Sequence, residues 1–259
     1  MKDTVKDDKD EIASLKNEFE VAQSLNSPFV LKAFDHGVQN GVPYTAFGVV
    51  QRDIVQKLLR MGMDIYGFML PKMVQKSAEA LYYFHTKDWI HRDVKVDNFL
   101  VTREGEVKLI DYRIAEKKRT GLKAMFHKPK VQGLEVTCLP SRFGAKESMS
   151  SRTFILLAAC FTSCWPGRLR TRPTVLTELL NKHLTGQVPS PMAANANVSP
   201  EFADLVKKMM AKKKESRPSS MWEFLKDLRT IQMFKKVPRL PDVHPFDQLE
   251  KGEKGFNLD

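Results

Sequence analysis

The sequence predicts an α+β fold in which a small strand-rich part precedes a larger, mainly helical part. Three observations support this: a helical pattern of apolar residues near the N-terminus, short strands joined at glycine turns, and long amphipathic helices further on. With 259 residues, of which 42% are apolar, the chain can bury one or two cores. Its net charge of +11 is scattered and not interleaved with aromatic residues. This pattern favours a solvated basic surface over a nucleic-acid site.

The first elements are a helix and a hairpin. Apolar residues recur at helical spacing over 11–25, and the sequence Asn-Ser-Pro at 26–28 ends the pattern. Residues 30–31 and 44–47 are apolar or aromatic and are separated by glycine turns. We therefore expect these two segments to pair as a hairpin.

Longer helices follow in the second part of the chain. The spacing of apolar residues predicts a long helix over 69–85 and two shorter amphipathic helices over 204–210 and 221–231. Ser219 or Ser220 can accept a hydrogen bond from the first turn of the last of these helices.

The loop after the long helix carries the chemistry. It reads HRDVKVDN, and the end of a nearby apolar strand reads LIDY. Asp93 would accept the hydrogen bond of an attacking hydroxyl, and Lys95 would neutralise charge on a transferred phosphoryl group. Asn98 and Asp111 supply the oxygen ligands that Mg²⁺ prefers. The motif and its spacing therefore predict a phosphoryl-transfer site.

With these motifs, residues 1–234 resemble the eukaryotic-type serine/threonine protein kinases of bacteria. The resemblance implies ATP and Mg²⁺ as cofactors and a protein substrate whose Ser or Thr hydroxyl receives the γ-phosphate. It also implies three cofactor-binding residues: Lys2 as the lysine of the third strand, Glu18 as the acid that pairs with it, and Phe47 beside the adenine pocket.

The same resemblance divides the chain into a protein-kinase-like pair of lobes and a tail. Residues 1–50 would form a truncated, β-rich small lobe, since no G-x-G-x-x-G motif occurs in the chain. Residues 51–236 would form the mainly helical large catalytic lobe, and residues 237–259 a flexible tail with little structure. We therefore expect an N-terminally truncated kinase domain.

Between residues 134 and 175 the kinase pattern disappears, and a shifted reading frame restores it. Taking the third base of each codon with the first two of the next allows 152–167 to read DIYSLGCVLYELLAG and 135–143 to read SYMSPEQI. A frameshift is the favoured interpretation, and a divergent insertion is the alternative. The apolar run 154–161 is expected to refill part of the vacated core. A second, shorter slip over 48–53 is also open.

Two interpretations of the activity remain open. The first is a serine/threonine protein kinase by descent. The second is a catalytically inactive remnant or pseudokinase, which would give little or no turnover from the chain as written. The second interpretation rests first on the missing glycine loop, the insecure third-strand lysine and the missing activation segment. It rests also on Arg113, which stands where the family has glycine, and on Arg217, whose expected acidic partner is missing from the sequence pattern.

The sequence also predicts the cellular compartment and the kind of partner. Three cysteines form neither a metal-binding nor a disulfide pattern, which favours a reducing compartment. The N-terminus is charged and lacks a signal-peptide core, and the longest apolar run is too short for a membrane span. We expect a cytoplasmic protein with a protein substrate, no nucleic-acid partner and no membrane segment.

Overall fold

The computed structural model of the chain describes residues 9–49, 53–118, 153–154, 157–158 and 190–254. Its small strand-rich part and its helical part agree with the predicted α+β class. Several predictions concern residues outside those that the structure describes. They are Lys2, residues 50–52 of the shorter slip over 48–53, and most of the segment assigned to a shifted frame.

The first helix packs against a two-stranded hairpin. Helix α1 (Lys9–Ser24) is followed by strands β1 (Ala33–Gln39) and β2 (Val42–Phe47), which pair antiparallel. The two residues between the strands, Asn40 and Gly41, have φ values of 53° and 74°. This left-handed backbone is what a tight two-residue hairpin requires, and Asn-Gly adopts it readily.

The predicted hairpin is correct in its second strand but wrong in the start of its first. The sequence pattern assigns residues 30–31 to the hairpin, whereas β1 begins at Ala33. Val30 instead forms an isolated parallel bridge with Leu109. An apolar pair of residues fits either partner, so its sequence alone does not choose between them.

Three helices follow the hairpin along the chain: α2 (Val55–Arg60), α3 (Met63–Tyr66) and α4 (Leu70–Thr86). Helix α4 corresponds to the long helix predicted over 69–85. It buries residues such as Met73, Leu81 and Phe84 at helical spacing, with at most 2% of each exposed. Phe84 of this buried stripe contacts His91 of the loop that follows, with 5.7 Å between the ring centroids.

Short strands hold that loop in place. They are β3 (Asp53–Ile54), β4 (Trp89–Ile90), β5 (Phe99–Val101), β6 (Val107–Leu109) and β7 (Glu116–Lys117). Strand β5 lies between β3 and β6, and β4 pairs with β7. The pairing of β5 with β6 brings Asn98 beside Ile110, whose backbone N–H donates to the Asn98 carbonyl at 3.0 Å.

The C-terminal helices are α5 (Pro200–Met209), α6 (Met221–Thr230) and α7 (Pro245–Lys254). Helix α5 begins four residues before the predicted start because the Ser199 side chain caps it and Pro200 suits the first turn. At α6 the cap is Ser220, whose side chain accepts the Glu223 N–H at 3.2 Å.

The tail is expected from its sequence to carry little structure, and α7 corrects that expectation over residues 245–254. Phe246 is buried, with 7% of its surface exposed. Arg103 forms a two-pronged pair with Asp247, and its second nitrogen lies 2.8 Å from Oδ2. One buried ring and one ion pair thus hold the start of this helix against the core and the segment that bears Arg103.

Part of the segment assigned to a shifted frame packs in the core. Residues 153–154 and 157–158 are helical, and Phe154, Leu157 and Ala158 expose 3% or less of their surfaces. The Phe154 ring lies 6.3 Å from that of Phe224 in an edge-to-face arrangement. These residues refill core space, as their apolar pattern predicts. Among the described helices, none is both long and apolar enough to cross a membrane.

Candidate active site

The loop that follows β4 is held by contacts to the strand end bearing Asp111. The buried His91 ring pairs with the Ile110 carbonyl at 2.9 Å, and the Asp93 N–H lies 3.3 Å from the other ring nitrogen. Arg92 lies 3.2 Å from the Glu116 carboxylate. Segments 91–93 and 110–116 are therefore joined at several points before any ligand binds.

Burial keeps the His91 ring neutral. It lowers the pKa of His91, and the Ile110 hydrogen bond and the charges of Asp93 and Asp111 only partly oppose this effect. A neutral ring has one donor and one acceptor. Nε2 therefore donates to the Ile110 carbonyl, while Nδ1 accepts from the Asp93 N–H. His91 is an uncharged bridge between the two halves of the site.

Two residues of the site have a left-handed backbone. Arg92 has a φ of 71° and Asp111 a φ of 65°. Such a conformation costs on the order of 1–3 kcal/mol for a residue other than glycine, and it clusters at functional sites. At Arg92 the ion pair with Glu116 helps to offset this cost.

Asp93, Lys95 and Asn98 contact one another directly. Lys95 Nζ lies 2.6 Å from Asp93 Oδ2, and Asn98 Nδ2 donates to the same oxygen at 3.0 Å. Asn98 Nδ2 also donates to the Asp93 backbone carbonyl at 2.8 Å. Because the amide nitrogen is bound to Asp93, the amide oxygen of Asn98 remains as a possible metal ligand.

The charge of Lys95 is strongly favoured. Burial lowers its pKa, but the hydrogen bond to Asp93 and the charges of Asp93, Asp111 and Asp97 outweigh burial, so the pKa is raised. Lys95 therefore stays cationic over the physiological pH range. Asp111 contributes to this shift, and so lies within electrostatic reach of the Asp93–Lys95 pair.

Glu18 of α1 contacts the segment that follows Asp111. Its side chain is buried, its Oε1 accepts the Tyr112 N–H at 3.3 Å, and its Oε2 lies 3.7 Å from Arg113 Nε. Burial raises the pKa of Glu18; Arg113 opposes this rise, while Asp111 adds to it. The cation that the described residues provide for Glu18 is thus Arg113. Lys2, its predicted partner, lies outside them.

Phe47 ends β2 opposite Ala33 and is partly buried against the core. The next residue, Gly48, donates its N–H to the Lys32 carbonyl at 2.9 Å. The place beside an adenine pocket that the family resemblance implies for Phe47 remains a prediction.

Asn17 also contacts the segment that follows Asp111 and was not predicted from the sequence. Its Nδ2 lies 3.3 Å from the Tyr112 carbonyl oxygen, 2.9 Å from that of Arg113 and 3.0 Å from that of Ala115. The sequence signal was weak, because an asparagine inside a helix usually reads as a solvated position. Its partners are more than ninety residues away, as the separation of 95 to Tyr112 shows.

Tyr112 anchors the segment after Asp111 in the core. It is completely buried, and its ring lies 5.4 Å from that of Phe84 and 5.9 Å from that of His91. Its hydroxyl donates to the Leu109 carbonyl and accepts the Leu31 N–H. Burial raises the pKa of Tyr112, so the hydroxyl stays protonated and can donate.

Arg217, whose acidic partner is missing from the sequence pattern, is also buried. Its Nε donates to the Ala211 carbonyl at 2.8 Å, and one terminal nitrogen donates to the Lys212 carbonyl at 3.3 Å. Backbone carbonyls therefore satisfy part of a guanidinium for which a carboxylate was expected.

A family model and several known proteins match most of this chain. A family model described as protein kinase domain matches residues 1–228. Serine/threonine-protein kinase PknH of Mycobacterium tuberculosis is 27% identical over 206 residues, covering 80% of this chain and 33% of PknH. PknD of the same organism is 28% identical over 210 residues, covering 79% of this chain and 31% of PknD.

A shorter match reaches a eukaryotic protein. Cell division control protein 2 homolog 3 of Trypanosoma brucei brucei is 30% identical over 98 residues, 38% of this chain and 32% of that protein. The chain spans about a third of the length of the curated relatives it matches. Because the family model covers most of the chain, the chain belongs to the protein kinase family.

Proposed function

We propose that the chain carries the site of a serine/threonine protein kinase, which transfers the γ-phosphoryl group of ATP to a protein hydroxyl with the help of Mg²⁺. The observation that carries this proposal is the double contact on Asp93: Lys95 and Asn98 both bind the same carboxylate oxygen. One aspartate held by a lysine and an amide within a single loop is the arrangement that phosphoryl transfer to a hydroxyl needs.

The residues present fit Mg²⁺. The amide oxygen of Asn98 and the carboxylate of Asp111 are hard oxygen donors, and the β5–β6 pairing brings their backbones together. Within the described residues, no cluster of three or more His, Cys, Asp or Glu side chains could hold a metal. Two protein ligands suffice here, because Mg²⁺ in such sites takes its remaining ligands from water and from substrate phosphates.

Each residue then has a separate task. Asp93 accepts the hydrogen bond of the attacking hydroxyl and orients it. Lys95, kept cationic by its acidic neighbours, offsets negative charge on the phosphoryl group during transfer. Asn98 fixes the Asp93 carboxylate and, with Asp111, would hold the metal, which supplies further positive charge beside the phosphates. Positioning and charge therefore account for the rate.

The partner of this site is a protein substrate, and we infer a cytoplasmic location from the cysteine pattern of the sequence. No nucleic-acid partner is proposed, because the scattered basic residues lack interleaved aromatic rings.

Radiolabelled ATP turnover on a Ser/Thr-containing protein tests the proposal. Asp93→Asn keeps the shape but weakens the acceptor, and is expected to lower turnover by about 10²–10⁴-fold. The matched control is Asp88→Asn, an exposed aspartate outside the site, for which turnover should stay within about twofold.

The outcomes separate the proposed kinase from the inactive alternative. Equal turnover by the unmodified chain and Asp93→Asn, together with Mg²⁺-dependent ATP binding in a thermal-shift measurement, would replace the proposal with a nucleotide-binding pseudokinase. Loss of both turnover and binding would refute the proposed site. A variant chain with the reading frame restored over 134–175 serves as the positive reference.

A further inference from the structure

Helix α1 is joined to the segment that follows Asp111 by a set of contacts centred on Arg113. Arg113 lies 2.9 Å from Glu11 through Nη1 and 3.7 Å from Glu18 through Nε. Glu11 and Glu18 are seven residues apart, which is about two helical turns and places them on the same face of α1. One guanidinium therefore spans that face of the helix.

Further contacts make this junction specific. Asn17 Nδ2 binds three carbonyls between residues 112 and 115, and Glu18 Oε1 accepts the Tyr112 N–H. We call these contacts, together with the two ion pairs of Arg113, the α1 clamp. They attach α1 to the backbone immediately after Asp111, so the position of one fixes the position of the other.

We propose that Arg113 is a positioning residue of the phosphoryl-transfer site, which holds α1 against the segment bearing Asp111 by serving as the cationic partner of Glu18. The clamp itself is a statement about structure. Only its consequence for Mg²⁺ rests on the proposed function.

Burial distinguishes this contact from an ordinary surface ion pair. The Glu18 side chain is 9% exposed, whereas that of Arg113 is 44% exposed. A surface pair contributes little, but a buried carboxylate that loses its cation is left uncompensated. Among the described residues, Arg113 is the cation that contacts Glu18, and the nearby charges of Asp111 and Glu11 repel its carboxylate.

The same geometry limits the effect of Arg113 on the metal. Its charge is shared between two carboxylates of α1, so it is partly neutralised before any cation reaches Asp111. A glycine at this position would leave the backbone freer but would remove the bridge. With arginine in place of glycine, the backbone after Asp111 is less mobile but is linked to α1.

Hydrogen–deuterium exchange of the full chain tests the clamp without any ligand. Arg113→Ala should raise the exchange rates of amides in α1 and in residues 111–115 by about 5–30-fold, while α5 and α6 stay unchanged. Arg113→Lys keeps one charge and should restore most of the protection. The matched control is Arg239→Ala, which removes an exposed arginine elsewhere and should change neither region.

Exchange in α1 within about twofold of the unmodified chain after Arg113→Ala would overturn the proposal. An equal increase in α5 and α6 would also overturn it, since Arg113 would then support the whole domain and not this junction.

Titration of Mg²⁺ against a bound fluorescent ATP analogue adds a readout of function. Arg113→Ala should raise the half-saturating Mg²⁺ concentration by about 5–30-fold, and Arg113→Lys should reverse most of that rise. A lower Mg²⁺ requirement in Arg113→Ala would overturn the proposal, because it would show that the arginine competes with the metal. If the unmodified chain binds no Mg²⁺–nucleotide, the proposed function fails, and hydrogen exchange alone still decides the clamp.

Discussion

His85, in the last turn of α4, makes the fold sensitive to acid. Its Nε2 is buried and has no hydrogen-bond partner among the described residues. Burial, with a smaller effect from Lys118, lowers the pKa of His85 from 6.5 to about 4. The unfolded chain therefore binds this proton more tightly than the folded chain does. The stability associated with neutral His85 is present above pH 6.5 and is lost as the pH falls towards 4.

The size of the effect follows from that shift. A change from 6.5 to about 4, at 1.36 kcal/mol per unit, gives a maximum of about 3 kcal/mol. Between about pH 7.5 and about pH 5 the linkage relation gives ~2 kcal/mol, because the lower pH has not yet reached the folded-state pKa of about 4 and the effect is still growing. That is a large part of the free energy of unfolding of a typical domain.

Urea unfolding at these two pH values, followed by far-UV circular dichroism, measures the effect. His85→Leu removes both the proton site and the unpaired nitrogen, whereas His85→Gln removes only the proton site. In both variants the loss of unfolding free energy between the two pH values should shrink by about 2 kcal/mol. His91, also buried and held neutral, keeps its own acid sensitivity in all three proteins.

His85→Leu should in addition be more stable near neutral pH by about 1 kcal/mol, because a buried polar atom without a partner is removed. The reasoning is refuted if, between the two pH values, the variants lose the same unfolding free energy as the unmodified chain to within about 0.5 kcal/mol. Equal losses would mean that the ring is hydrated or already charged in the folded state.

Three further substitutions test the packing by urea unfolding. Ser199→Ala removes the cap of α5 and should lower the free energy of unfolding by about 1–2 kcal/mol; no change would mean that Pro200 alone starts the helix. Leu157→Ala, at a fully buried position, should cost about 2–5 kcal/mol, while Val49→Ala, at a position 97% exposed, should cost almost nothing. Equal values for these two would contradict the burial of 157–158. Phe246→Ala should cost about 3 kcal/mol if α7 is docked, and nothing if the tail is free.

The part of the site formed by neighbouring residues was the part that the sequence could predict. Asp93, Lys95 and Asn98 lie within one loop, and their contacts follow from a motif whose chemistry sets the spacing. In the structure these three side chains contact one another. Their catalytic roles remain proposals.

Contacts between distant segments could not be predicted in the same way. The family resemblance gives Glu18 a lysine partner, but the charge that meets it among the described residues is Arg113. In the sequence pattern Arg113 stands out only as a departure from the glycine of the family, since no local signal relates it to α1. Helix α7 was missed for a related reason: its first turn is fixed by the pairing of Asp247 with the distant Arg103.

The two halves of the site differ greatly in the length of chain that must close to form them. Asn98 and Asp93 are 5 residues apart, whereas Tyr112 and Glu18 are 94 apart. Loop-closure entropy grows with the logarithm of length, so the longer closure costs about 2.6 kcal/mol more. During folding the loop that bears Asp93 and Asn98 can therefore form early, with α1 docking afterwards. On gradual denaturation the order reverses, and α1 would leave a loop that is still intact.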